Sequence, residues 1–214
     1  MIDGSLVADR VAALRQELRA VSGRDIAVVA VTKSLGRDAI DAAASAGCDA
    51  VGENYAQEVL SKVAGGPLSI PLHFVGSIQS NKVRQMAPHV SLWQGVERSS
   101  VVDEIAKRAP GGRILLQVNT TGEESKAGLV PSNVESMLRR ALGVGLDVVG
   151  LMTIGPTDGS GERTRAAFTA LRGLADDLGL PECSMGMSGD WRIAAECGST
   201  MVRVGTMLFG PRDR

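Results

Sequence analysis

The sequence predicts an α/β fold, a parallel (β/α)8 barrel of the TIM type, and three observations favour it. Short apolar segments alternate with helix-like segments along nearly the whole chain, as in parallel sheets, whose neighbouring strands need crossover connections. Eight candidate strands can be counted, and the chain has 214 residues, close to the length of such a barrel. The candidate strands are residues 26–32, 49–51, 72–75, 90–94, 113–118, 146–152, 182–186 and 200–204.

Helices are predicted before and between these strands. Apolar residues from Leu6 to Val21 recur at spacings of three and four, and Ser22-Gly23 then supplies a stop, so we expect an extra helix at the N-terminus. No linker or low-complexity segment interrupts the series, and we therefore expect a single barrel domain over residues 1–214. Further helix-like segments cover residues 37–47, 54–63, 99–109, 131–142, 162–179 and 190–198.

Composition and charge argue against several classes of partner. There are 23 Lys and Arg against 24 Asp and Glu, and only 3% of residues are aromatic, so neither a basic surface nor stacking side chains for nucleic acid are expected. No signal peptide or membrane-spanning run is evident, and we expect a soluble, cytoplasmic protein. The three cysteines lack CxxC spacing, which favours buried free thiols over metal ligands. No spare apolar stripe stands out, so a monomer is expected.

Lys33 directly follows the first predicted strand. Active sites of barrels lie at the carboxyl ends of the strands, so Lys33 belongs to the face where chemistry is expected. Taken alone, a lysine at this position is more often a solvated rim residue. The alternative is a partly desolvated amine that forms a Schiff base with a carbonyl group. The position of Lys33 does not decide between the two.

The loops after the seventh and eighth strands contain glycines and hydroxyl side chains. Loops at these positions commonly build a barrel's phosphate site, together with a helix N-terminus. Here they contain Gly186, Ser188, Gly189, Gly205 and Thr206. Their backbone N–H groups and two hydroxyls could hold a phosphate, although the glycines could equally serve tight turns alone.

Arg203 is predicted to point into the barrel, because the alternation of the eighth strand turns Val202 and Val204 toward the helices. A buried guanidinium needs an acceptor, which could be a carboxylate of the chain or the ring nitrogen of a ligand. Three features together suggest pyridoxal 5′-phosphate (PLP) as the ligand: a lysine that can react with an aldehyde, a phosphate site and an arginine that points into the barrel.

Six segments resemble, in order and over nearly the whole chain, the pyridoxal phosphate homeostasis protein family, whose members have the alanine racemase N-terminal-domain fold. They are AVTK, GENYAQE, HFVGSIQSNK, NTTGEESKAGL, GLMTIG and GMSGDWRIAAECGSTMVRVGTMLFG. The resemblance implies a PLP-binding barrel. Two departures are visible: Thr32 stands where serine is expected before the lysine, and Trp191 is bulkier than expected and could reshape the phosphate-side loop.

The resemblance also implies roles for individual residues. Lys33 would form the Schiff base, Arg203 would face the pyridine nitrogen, and Asn54 would lie near the ring substituents. The phosphate would be held by Ser188 and the backbone of Gly189, Gly205 and Thr206. Lys82 and Lys126, near the rim, could accept PLP transiently, but phosphate or carboxylate contacts, or none, are favoured for them.

The resemblance implies a carrier that buffers or delivers PLP to PLP-dependent apoenzymes, with indirect effects on amino-acid and keto-acid balance, and not an enzyme. A positive charge from Arg203 beside the pyridine nitrogen would weaken the ring as an electron sink. Racemisation needs a second acid/base group. In alanine racemases this is a tyrosine supplied through an additional domain that is not expected here, and Tyr55 is the sole tyrosine of the sequence. A small amino-acid racemase and a PLP-independent Schiff-base aldolase remain the alternatives.

Overall fold

The structure, a computed structural model, describes residues 2–211 and contains a closed barrel of eight parallel strands. Each strand pairs with its neighbours in sequence, and β1 pairs with β8 to close the ring. The predicted fold class is confirmed. The strands are β1 (Ala27–Val31), β2 (Ala50–Glu53), β3 (Leu72–Phe74), β4 (Leu92–Val96), β5 (Arg113–Gln117), β6 (Asp147–Met152), β7 (Glu182–Ser184) and β8 (Met201–Val204).

Helices follow the strands and cover the outside of the barrel. The predicted extra helix α1 begins after Asp3, whose carboxylate accepts hydrogen bonds from the N–H groups of Ser5 and Leu6, and it ends at Gly23. The helices are α1 (Gly4–Ser22), α2 (Arg37–Ser45), α3 (Ala56–Val63), α4 (Ser80–Met86), α5 (Ser99–Arg108), α6 (Val134–Gly143), α7 (Gly161–Asp177), α8 (Trp191–Glu196) and α9 (Thr206–Phe209).

The observed elements match the predicted segments, with two additions. Helices α4 and α9 were not among the helix-like segments, because seven and four residues are too few to display a periodic apolar stripe. Helix α4 follows β3 after five residues and α9 follows β8 after one, so both lie near the carboxyl ends of those strands. They matter for function because each contributes residues to the barrel mouth.

Strand alternation separates the core into two parts. Met201 faces the barrel interior, where it belongs to a small apolar cluster, whereas Val202 and Val204 pack in the larger cluster between the sheet and the helices. Arg203 is 5% exposed. The eighth strand therefore has the alternation that its sequence predicts.

Cys48 and Cys183 are buried free thiols, as expected, whereas Cys197 is partly exposed. Burial raises the pKa of Cys48 and of Cys183 to about 11. Over residues 2–211, no helix has both the length and the apolar character needed to cross a bilayer. The same residues contain no cluster of three or more His, Cys, Asp or Glu side chains suited to hold a metal ion.

Candidate functional site

A cavity of about 360 Å³ opens at the carboxyl ends of the strands and contains Lys33; we refer to it as the Lys33 cavity. Its volume lies within the range of small-molecule sites, roughly 300–1,000 Å³. All seven residues that the sequence predicts to contact the ligand line this one cavity. Its lining is Val31, Lys33, Asn54, Val75, Ile154, Met187, Ser188, Gly189, Arg203, Gly205 and Thr206.

The lining of the Lys33 cavity is cationic. Lys33 and Arg203 contribute two basic groups, and none of the described lining residues carries a carboxylate. Positive charge in a partly desolvated cleft attracts anions more strongly than the same charge in bulk water. The cavity is therefore suited to a small anionic molecule.

Arg203 is buried without an opposite charge beside it. Its guanidinium donates to the Ser184 hydroxyl at 2.6 Å and to the Thr153 carbonyl oxygen at 2.8 Å. Among the described residues, no carboxylate forms an ion pair with it, and burial lowers its pKa to about 10. Of the two acceptors considered for Arg203, a carboxylate of the chain does not pair with it within the described residues; the Asp190 charge raises its pKa, but by less than burial lowers it. Its exposed edge instead faces the cavity.

A chain of hydrogen bonds continues from Arg203 into the lower barrel. The Ser184 hydroxyl donates to Gln94 at 2.7 Å, and the Gln94 amide nitrogen lies 3.0 Å from Nδ1 of His73. Burial lowers the pKa of His73 to about 4, with a further contribution from the Arg113 charge, so its ring is neutral at pH 7 and can accept this bond. These partners orient Arg203 without neutralising it.

The two loops predicted to hold a phosphate are joined by Ser188. Its hydroxyl accepts hydrogen bonds from the backbone N–H groups of Gly205 and Met207, both at 3.3 Å. Within residues 2–211, the N–H groups of Ser188, Gly189 and Thr206 have no hydrogen-bond acceptor, although all three residues line the cavity. Such neighbouring free N–H groups are the usual ligands of a phosphate.

Gly186 shapes the first of these loops. It has φ of 96°, and a Cβ atom there would lie 2.5 Å from the Cβ of Ala194. Trp191 is 7% exposed and packs in the apolar core, with the Arg192 guanidinium 4.9 Å from its ring centroid. The large indole therefore lies behind the loop and does not line the cavity.

Asn54 follows β2 and reaches the cavity because Gly76, after β3, lets the two chain segments approach closely. A Cβ atom at Gly76 would overlap the backbone of Asn54. Glycine is therefore required at position 76 because any side chain would overlap the Asn54 backbone, and not because of an unusual φ angle.

The remaining rim residues lie outside the Lys33 cavity. Tyr55 is 58% exposed and lines a neighbouring cavity of about 210 Å³ together with Lys82; Asn54 lies between the two cavities. Lys126 donates to the Gly155 carbonyl oxygen and forms an ion pair with Glu123 at 2.8 Å, in a third cavity. None of these three side chains lines the Lys33 cavity.

Sequence reasoning missed Thr153, Ser184 and Gln94, the polar groups beneath Arg203. The available signal was a polar residue at an inward position of an otherwise apolar strand, as with Gln94 in SLWQG. It also missed Lys62 on α3, whose ammonium group donates to the carbonyl oxygen of Thr32, the residue before Lys33.

Comparison with known proteins gives one consistent relationship. The family described as "Alanine racemase, N-terminal domain" matches residues 2–213. A pyridoxal phosphate homeostasis protein of Pseudomonas aeruginosa is 39% identical over 215 residues, which cover 95% of this chain and 94% of that protein. The mouse protein of the same name is 34% identical over 231 residues, covering 97% of this chain and 83% of that protein.

Solved structures agree with this relationship. PipY of Synechococcus elongatus with PLP bound is 30% identical, with a TM-score of 0.84, and the match covers 95% of this chain and 100% of that chain. An alanine racemase of Clostridium difficile has a TM-score of 0.77 at 14% identity, covering 96% of this chain and 58% of that chain, which shows a shared fold. The chain therefore belongs to the pyridoxal phosphate homeostasis protein family, within the wider family of the alanine racemase N-terminal domain.

Proposed function

We propose that this chain binds PLP in the Lys33 cavity as a reversible Schiff base and acts in vitamin B6 homeostasis as a non-enzymatic carrier. One observation carries the proposal: an amine, a buried guanidinium without a counter-ion and free backbone N–H groups line one cavity. PLP has a matching aldehyde, ring nitrogen and phosphate. The names of the relatives and the PLP bound to PipY support this ligand.

Lys33 would provide the covalent bond. PLP supplies an aldehyde, an electrophile that condenses with primary amines. After losing a proton, the Lys33 amine would add to the aldehyde carbon; one water molecule would leave as the C=N bond forms, and addition of water would reverse the step. A bond that water can reverse suits a carrier that must both retain and release its cargo.

The two C-terminal loops would bind the phosphate. The N–H groups of Ser188, Gly189 and Thr206 are free to donate, and the bonds from Gly205 and Met207 to the Ser188 hydroxyl hold the two loops at a fixed separation. The site is thus organised before the ligand arrives, which reduces the entropy lost on binding.

Arg203 would donate to the pyridine nitrogen. Ser184 and Thr153 hold two of its N–H groups, and the guanidinium stays protonated at pH 7. A donor that keeps its own proton leaves the ring nitrogen unprotonated, so the ring withdraws electrons weakly and carbanion chemistry is disfavoured. This disfavours transaminase-like chemistry, whereas racemisation has to be judged on its second acid/base group.

The racemase alternative needs a second base at the reacting carbon, within hydrogen-bond reach. Tyr55, its candidate, is largely exposed and lines the neighbouring cavity. We therefore expect no racemisation of alanine by the PLP-loaded protein, measured by chiral chromatography. Delivery to apoenzymes, a monomeric state and a cytoplasmic location belong to the same proposal.

The visible absorption spectrum with added PLP tests the proposal. We expect a Schiff-base band in the wild type that is lost in Lys33→Ala and kept in Lys82→Ala, a matched control for a lysine at the same rim outside the cavity. No band in the wild type would overturn PLP binding through an amine and favour the aldolase alternative. Loss of the band in Lys82→Ala, with the band kept in Lys33→Ala, would assign the Schiff base to Lys82 and contradict the proposed role of Lys33.

A further inference from the structure

A buried ionic cluster lies behind the strand ends, between the sheet and α3. Lys62 is 7% exposed, and its ammonium donates to the Glu53 carboxylate and, at 2.7 Å, to the Thr32 carbonyl oxygen; Glu58 lies 3.4 Å away. We call Thr32, Glu53, Glu58 and Lys62 the Lys62 cluster. None of the four lines the Lys33 cavity, so the cluster cannot contact a ligand there directly.

The Lys62 cluster holds the chain on both sides of Lys33. On one side, the Thr32 carbonyl oxygen accepts from Lys62, and the Thr32 hydroxyl donates to Glu53 at 2.5 Å. On the other side, the Ser34 N–H donates to the Glu58 carboxylate at 2.7 Å. Lys33 is therefore the residue between two anchored neighbours.

Ser34 has an unusual backbone conformation. Its φ is 62°, and among residues 2–211 it is the sole non-glycine residue with a positive φ. This region is unfavourable for L-residues and persists where surrounding contacts impose it, often at functional sites. The hydrogen bond to Glu58 is such a contact, and it turns the chain sharply just after Lys33.

Fold stability alone does not explain why an ionic cluster is buried at this position. Apolar side chains of similar volume usually stabilise a buried position as well as an ion pair does. In addition, Glu53 Oε2 is buried and has no hydrogen-bond partner within the described residues. What the cluster supplies, and an apolar replacement would not, is directional bonds to the backbone at Thr32 and Ser34.

We propose that the Lys62 cluster is a positioning device for Lys33, presenting its amine to the aldehyde of PLP. This inference rests on the proposed function. Lys62 and Glu58 bond to the backbone on either side of Lys33, and Glu53 bonds to Lys62 and to the Thr32 hydroxyl. None of the three lines the Lys33 cavity, so they act as positioning residues. Their removal should weaken Schiff-base formation and leave the phosphate and ring contacts intact.

Glu58→Ala tests the inference, with Asp49→Ala as its matched control. Asp49 is also a partly exposed carboxylate that accepts a backbone hydrogen bond, from the Val28 N–H at 2.7 Å, but near the end of β1 that is remote from Lys33. Both changes therefore remove one carboxylate that accepts a hydrogen bond from the backbone, at β1 for Asp49 and just after Lys33 for Glu58. Thr32→Val, which keeps the branched shape and removes the hydroxyl, is a second variant that retains the buried packing.

Two ligands separate positioning from binding. PLP reports the Schiff base through its visible band, whereas pyridoxine 5′-phosphate lacks the aldehyde and reports the phosphate and ring contacts alone. We expect Glu58→Ala to weaken PLP binding about tenfold, or ~1.4 kcal/mol, and to leave pyridoxine 5′-phosphate binding unchanged. Thr32→Val should act in the same direction, Glu58→Gln should recover most of the loss, and Asp49→Ala should change neither ligand.

Several results would overturn the inference. Unchanged PLP binding in Glu58→Ala and Thr32→Val would show that the cluster does not position Lys33. Equal losses for both ligands, or an equal effect of Asp49→Ala, would show a general structural role. Absence of a band in the wild type would instead overturn the proposed function, and the inference with it.

Discussion

Two buried cations lie on opposite sides of the same sheet. Arg203, on β8, points into the barrel and donates to a hydroxyl and a carbonyl oxygen. Lys62, on α3, packs against the outside of the sheet with Glu53 and Glu58 as partners. Their exposed fractions are similar, 5% and 7%. The charge of Lys62 is compensated within the chain, whereas that of Arg203 faces an open cavity and is available to a ligand.

This difference is informative because burying a charge is costly unless an opposite charge or strong acceptors compensate it. An ion pair such as that of Lys62 satisfies this requirement in the folded chain itself. Arg203 satisfies it partly, through the neutral acceptors Ser184 and Thr153, and in the proposed function the ligand would supply a further acceptor. A buried cation without a carboxylate is thus a stronger indication of a binding site than a buried ion pair.

Removing Lys62 should have the largest effect on stability. Lys62→Met leaves Glu53 buried without its partner, and breaking such a pair from one side typically costs ~3–5 kcal/mol. Urea unfolding monitored by circular dichroism measures this loss. The double variant Lys62→Met/Glu53→Gln should recover most of it, since no lone charge remains. A loss below about 1 kcal/mol in the single variant would contradict the comparison.

His73 extends the comparison to a buried base that is kept neutral. Its pKa is lowered from 6.5 to about 4, chiefly by burial. Between these values the unfolded chain takes up a proton that the folded chain does not, so stability falls as pH falls from 6.5 to 4, by on the order of 3 kcal/mol. Above pH 6.5 this contribution is fully present.

Urea unfolding at pH 4, 5 and 6.5 measures the contribution of His73. Other groups titrate in the same range, so the relevant quantity is the difference between the wild type and His73→Gln, whose amide can still accept from Gln94. We expect the variant to lose less stability on acidification. Parallel pH curves for the two proteins would show that His73 is not the group responsible.

Removing Arg203 should affect ligand binding more than stability. Arg203→Met leaves no carboxylate without its partner. In the absence of ligand, the free energy of unfolding should therefore change by less than about 1 kcal/mol. The affinity for pyridoxine 5′-phosphate should fall about tenfold, because the ring nitrogen loses a charged donor. Titration of the ligand, next to unfolding of the free protein, measures both. A loss of several kcal/mol in the free protein would show that a charged group of the chain compensates Arg203, contrary to the comparison.

The smallest effect is expected at an exposed ion pair. Glu135 and Arg139 lie 2.7 Å apart on one face of α6, with 63% and 68% of their side chains exposed. Solvent screening makes such a pair worth ~0.5 kcal/mol or less. Glu135→Gln should therefore leave the urea midpoint nearly unchanged. A loss as large as that of Lys62→Met would mean that burial does not decide the value of an ion pair here.

Much of the site follows from rules that connect sequence to barrel geometry. Lys33, Asn54 and Ser188 are far apart in the chain, but each follows a strand, and strand ends of a parallel barrel meet at one face. Alternation along β8 likewise predicted the inward side chain of Arg203. Which ligand contact each residue makes stays a prediction.

The sequence by itself determined the strand order, the faces of the strands and the set of residues at the barrel mouth, because periodicity and capping depend on near neighbours in the chain. The tertiary structure decided the rest. It joined Arg203 to Thr153, placed Tyr55 in a separate cavity and brought Lys62 behind Lys33. Contacts between residues 30 to 50 positions apart depend on how the strands close into the barrel and on how the helices pack around it, and no local pattern encodes either arrangement.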